Sequence, residues 1–61
     1  MFKNLNAEQG RYGFTNEAMA ERLGISRQVY EYKKEHGTFN VSESQKLCEI
    51  FGVSFEYLFA A

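Results

Sequence analysis

The chain has 61 residues, 44% of them apolar, and seven Lys and Arg balance eight Glu for a net charge of −1. A chain of this length buries only about 60% of the surface it exposes when unfolded, so its apolar residues are expected to form one core across a single domain, 1–61. That leaves no cleft between lobes for an enzyme, and the lone cysteine, Cys48, excludes an internal disulfide and a multi-thiolate zinc site.

A first helix is predicted from about Phe2 to Tyr12, with Phe2 and Leu5 on one face and Gly10 and Gly13 ending it. Thr15 is an N-cap for a second helix, Asn16 to Leu23, whose Met19, Ala20 and Leu23 make an inward stripe. Gly24 ends it, Ile25 packs back, and Ser26 caps a third helix from Arg27 to about His36. Residues 37–41 read as a loop. Ser42-Glu43-Ser44-Gln45 reads as a capping box for a fourth helix, with Leu47, Ile50 and Phe51 inside and Cys48 alongside. Ser54 then caps a short fifth helix, Phe55 to about Phe59, after Gly52. Short connections join these pieces into an all-α, compact five-helix bundle.

The segment 16–35 has the spacing of a helix-turn-helix. A small residue, Ala20, suits a close helix crossing, and Gly24, four positions on, suits the turn. Ile25 pins the turn, and Tyr30 is the first inward residue of the second helix of the pair. The next inward position holds Lys33, a charge that must send its ammonium outward from the core. Gly37 falls one residue later than the pattern wants, and Phe39 is the residue expected to cover the gap.

Arg27 and Gln28 follow the Ser26 cap and so face out at the leading end of the third helix. Arginine offers a two-pronged donor to guanine, glutamine donates and accepts at adenine, and Val29 suits a thymine methyl. The competing reading is an ordinary solvent-facing first turn. Lys33 and Lys34 either contact phosphate or pair with Glu31 and Glu35 at helical spacing. Glu31 and Glu35 would repel a phosphate backbone that they faced.

Asn4-Leu5, Ala7-Glu8, Gly13-Phe14-Thr15-Asn16-Glu17, Met19-Ala20-Glu21, Leu23-Gly24-Ile25-Ser26-Arg27 and the closing run from Phe51 to Phe59 together resemble the phage repressor and Cro-like helix-turn-helix family, also called the Xre family. The resemblance covers nearly the whole chain. It implies a five-helix domain of the lambda-repressor-like type that binds double-stranded DNA as a transcriptional regulator. It further implies that Asn16 touches phosphate, that Arg27, Gln28 and Val29 read bases, and that Tyr32 occupies a further exposed position on the same face. The pattern weakens between Tyr30 and Phe39, where Lys33 replaces an apolar residue.

The other reading of function is a protein-interaction module, an antirepressor or adaptor that keeps the fold with a degraded DNA face. Mild acidity, Glu31, Glu35 and the altered end of the third helix favour it. An enzyme is not expected, because no nucleophile–base set, acid pair or phosphate loop is visible. Nor is a cofactor, a metal or a small-molecule substrate. His36 reads as a solvated residue at a helix end and Cys48 as a small hydrophobe. The rings of Phe51, Phe55, Tyr57 and Phe59 are expected mostly in the core, with a homodimer through the C-terminal segment, at Phe55 and Phe59, if the chain pairs. No apolar run approaches a membrane span and Met1-Phe2-Lys3-Asn4 is no signal-peptide opening; a bacterial cytoplasm is the expected location.

Overall fold

Four of the five helices open on a residue in extended backbone whose side chain accepts a hydrogen bond from the first turn, and four close on a left-handed glycine. The structure, a computed structural model, describes residues 2–60. Its helices are α1 (Lys3–Tyr12), α2 (Asn16–Leu23), α3 (Arg27–His36), α4 (Val41–Phe51) and α5 (Phe55–Leu58). Thr15 Oγ1 accepts from the Ala18 amide and Ser26 Oγ from the Val29 amide, each at 3.1 Å. Ser54 caps α5 in the same way. These contacts answer donors that a helix start leaves open.

The turn of the helix-turn-helix closes as its spacing requires. Gly24 has φ +72°, and with it in place the Ile25 amide donates to the Ala20 carbonyl at 3.0 Å. Gly37, at φ +69°, closes α3 similarly, its amide donating to the Lys33 carbonyl at 2.8 Å. The extra residue before Gly37 therefore belongs to α3, which simply runs through His36.

The start of α4 differs from the sequence expectation. Its cap is Asn40, two residues before Ser42, and Val41 is already helical. Asn40 Oδ1 accepts from the Glu43 amide at 2.7 Å and Glu43 Oε1 accepts from the Asn40 amide at 3.0 Å. The capping box is thus Asn40 to Glu43 rather than Ser42 to Gln45. Ser44, buried, turns its hydroxyl onto the Asn40 carbonyl at 2.9 Å.

One core joins the five helices. It contains Phe2, Leu5, Met19, Ala20, Leu23, Tyr30, Leu47, Phe51 and Leu58. α2 and α3 pack most closely, and Ala20, 1% exposed, lies on the buried side of that pair. Phe39 covers the core from the α3–α4 loop, its ring 5.7 Å from Tyr30 and 6.2 Å from Phe59. The expectation that the C-terminal rings sit mostly inside holds for Phe51 and in part for Phe59, but fails for Phe55 and Tyr57. Those two are exposed, because a single turn of α5 points only Leu58 fully inward. Among the described residues, no helix is long and apolar enough to cross a membrane, and no His, Cys, Asp and Glu cluster is set to hold a metal.

Candidate nucleic-acid interface

The outward face of α3 carries Arg27, Gln28, Val29 and Tyr32, all exposed. The Ser26 cap fixes where this helix begins and therefore where its first turn points. Tyr32 is 59% exposed, with its ring centroid 4.1 Å from that of His36, one turn on. This gives the helix a flat aromatic edge beyond the polar pair Arg27 and Gln28.

Asn16, the first residue of α2, stands beside this face and is held by both of its side-chain ends. Its Oδ1 accepts from Gln9 Nε2 at 2.8 Å and from Lys34 Nζ at 2.9 Å. Its Nδ2 donates to Glu31 Oε2 at 3.1 Å. Gln9 is itself buried, and its Oε1 accepts from the Tyr30 hydroxyl at 2.7 Å. Burial raises the Tyr30 phenol above its ordinary pKa, so it remains a donor. A polar chain therefore runs from the core, Tyr30 to Gln9, out to Asn16 and the surface of α3. Every buried side-chain nitrogen or oxygen among the described residues has a partner.

Neither lysine pairs with Glu31 or Glu35 as helical spacing allowed. Lys33 crosses to α4, and its Nζ donates to both oxygens of Glu43, at 2.8 and 2.7 Å. Burial alone would raise the Glu43 carboxyl. The Lys33 ammonium and the Asn40 amide outweigh it and hold the carboxyl below its ordinary value. Lys33 thus finds its counter-charge at an inward position in Glu43, the third residue of α4. Lys34 turns back over α3 toward Asn16 and lies 3.4 Å from Gln9 Oε1. Burial lowers its pKa, and the nearby Glu31 charge works the other way. Among the described residues neither lysine forms a salt bridge with Glu31 or Glu35, and the helical pair on this face is Arg27 with Glu31, at 4.0 Å.

Sequence reasoning missed three members of this site. Gln9 was passed over as an ordinary helix residue, Glu43 was read only as a cap, and Glu31 as a partner of the lysines or a repelling charge. The Arg27–Glu31 spacing of one helical turn was visible; the others depend on contacts between helices.

Between the α3–α4 loop, α4 and α5 lies an open apolar groove of about 700 Å³, lined by Phe39, Val41, Ser44, Gln45, Cys48, Glu49 and Phe55. Val41 is 75% and Phe55 56% exposed there. Phe59 is half-buried and packs its ring edge-on against Phe2 at 5.1 Å. Of the two residues expected at a dimer contact, Phe55 is thus offered to solvent and Phe59 belongs largely to the core. Cys48, half-buried beside the groove, has its thiol pKa raised by burial and by the nearby Glu56 and Glu49 charges, which makes it a poor nucleophile.

No curated protein and no solved structure matches the chain. A family model described as helix-turn-helix, HTH_3, matches residues 9–58, which include α2 and α3 whole and most of the core around them. That family is one of DNA-binding regulatory domains and not of enzymes. With that match over most of its length, and with the turn, caps and buried stripe of the motif in place, this chain belongs to the helix-turn-helix family.

Proposed function

We propose that this chain is a sequence-specific regulator that binds double-stranded DNA, with α3 in the major groove. The observation that carries the reading is the exposed outer face of α3, bearing Arg27, Gln28, Val29 and Tyr32, beside Asn16 at the start of α2 in a member of a DNA-binding family. Arg27 and Gln28 suit base edges, Val29 a thymine methyl, and Tyr32 the far side of the groove. Asn16 and Lys34 suit phosphate, which positions the helix without specifying sequence. Lys33 reaches phosphate only by leaving Glu43, so it is better read as a fold residue. The resemblance to phage repressor and Cro-like proteins favours a phage or prophage regulator acting in a bacterial cytoplasm. A second copy suits the groove at Phe55, because none of the reading residues lines it and they stay free.

The test is a fluorescence-anisotropy titration against a site selected from a randomised duplex pool and against a scrambled duplex, at several salt concentrations. Affinity should fall steeply with salt. Gln28→Ala should cost about 1–3 kcal/mol on the selected site and little on the scrambled one. Asn16→Ala should weaken both alike. If Arg27→Ala and Gln28→Ala bind as the parent does, α3 is not a reading head, and the protein-interaction reading takes its place.

A further inference from the structure

Two of the residues assigned above to DNA, Asn16 and Arg27, converge on one carboxylate. Glu31 Oε2 accepts from Asn16 Nδ2 at 3.1 Å and lies 4.0 Å from Arg27 Nη1. Lys34 reaches the other end of the same asparagine, at 2.9 Å. Glu31, Asn16 and Lys34 line a polar dent of about 230 Å³ together with Asn6 and Glu35. A carboxylate offers two anionic oxygens and only accepts hydrogen bonds, as a phosphodiester does, so the same amide and guanidinium donors serve either one. The Glu31 side chain is 42% exposed, open enough for another anion to compete for its donors.

We infer that Glu31 is an internal stand-in for a DNA phosphate, which pairs with Asn16 and Arg27 in the free protein and must be displaced before they engage a duplex. This rests on the DNA-binding reading and adds a control of affinity to it. The chain is nearly neutral overall, with seven basic against eight acidic residues, and it lacks the broad basic footprint that drives strong non-specific binding. A carboxylate inside the contact surface weakens that non-specific attraction further. It leaves the base contacts of Gln28 and Val29 untouched, since neither residue has a side-chain hydrogen bond or ion pair to Glu31 among the described contacts. The expected result is a protein that ignores most DNA and is held chiefly where base contacts add to the phosphate contacts.

Glu31→Gln tests this, because glutamine keeps the shape and an acceptor for Asn16 but removes the charge. Glu21→Gln, exposed on α2 and neither assigned to DNA nor lining the groove, changes the net charge equally and serves as the control. Each variant is first shown to melt as the parent does, then titrated by anisotropy on the selected and the scrambled duplex across a salt series. Glu31→Gln should bind the scrambled duplex at least about fivefold more tightly at low salt, with a salt slope steeper by roughly one unit as a cation is freed for phosphate. Its preference for the selected site should shrink. Glu21→Gln should stay within about twofold of the parent, its charge pairing with none of the residues assigned to DNA and screened by salt. Equal gains in both variants would reduce the effect to overall charge and overturn the inference. So would unchanged or weaker binding by Glu31→Gln, which would make Glu31 a residue that only orients Arg27 and Asn16. If the parent itself shows no salt-sensitive binding to either duplex, it is the DNA-binding reading that fails, and the inference falls with it.

Discussion

Lys33 is the residue at which the chain departs most from the motif it resembles, and its partner explains why the departure is tolerated. Glu43 closes the capping box of α4 and receives the Lys33 ammonium on the same carboxylate. With side-chain exposures of 22% and 9%, the pair lies between a surface ion pair and a buried one, so Lys33→Met should destabilise by roughly 1–3 kcal/mol at neutral pH. The pH dependence has a definite sign. The Glu43 carboxyl is held below its ordinary value of 4.5, so the pair stabilises the fold fully above that value and is lost as pH falls through the lowered one. Melting temperatures of parent and Lys33→Met should therefore differ most at neutral pH and converge in acid. A gap that stays constant down to strongly acid pH would separate Lys33 from Glu43.

Gln9 and Tyr30 give a second residue-scale expectation. Tyr30 is fully buried and its hydroxyl has Gln9 as its hydrogen-bond partner. Gln9→Leu leaves that hydroxyl without its acceptor and should cost about 1–3 kcal/mol, whereas Tyr30→Phe removes the donor and should cost only about 0.5–1.5 kcal/mol. The comparison is read from denaturant midpoints. Equal losses would mean that packing of the ring, not its hydroxyl, governs the site.

At the scale of the helix, the start of α4 separates two capping frames that the sequence offers two residues apart. Asn40→Ala should cost about 0.5–2 kcal/mol, since it strips the cap from the Glu43 amide. Ser42→Ala, at an exposed first-turn position, should stay within about 0.5 kcal/mol of the parent. The reverse order in thermal melts would move the helix start to Ser42. For the α2–α3 pair, Ala20→Leu should destabilise by about 1–3 kcal/mol through overpacking at a position 1% exposed. In a domain of this size each kilocalorie lowers the melting temperature by about 4–8 °C, so the effect should be plain.

For the whole molecule, the exposed groove between Phe39, Val41 and Phe55 is the surface offered to a second copy. If a second copy covers it, Phe55→Ser should shift sedimentation toward monomer with little change in melting temperature at high dilution, because Phe55 is 56% exposed. Phe59→Ser is the wrong probe, since Phe59 packs on Phe2, Phe39 and Phe55 and its loss would loosen the core as well. A dimer indifferent to Phe55 would put the contact elsewhere. Two-fold pairing through this end would set half-sites about one helical turn, roughly 34–36 Å, apart on a duplex.

The sequence by itself determined what depends on neighbours within a turn or two. Thr15, Ser26 and Ser54 cap the helices they were expected to cap, Gly24 and Gly37 close the turns that follow, and Met19, Ala20 and Leu23 face inward together. Those outcomes follow from backbone geometry and the helical period. The tertiary structure alone decided the polar wiring: Lys33 to Glu43 across 10 residues, Asn16 to Glu31 across 15, Tyr30 to Gln9 across 21. It also decided between Asn40 and Ser42, because only the Asn40 frame puts Glu43 where it caps α4 and meets Lys33 together. The physical reason is common to all of these. A long polar side chain commits its charge to whatever the packed helices bring within reach, and spacing along the chain says nothing about which helix that is.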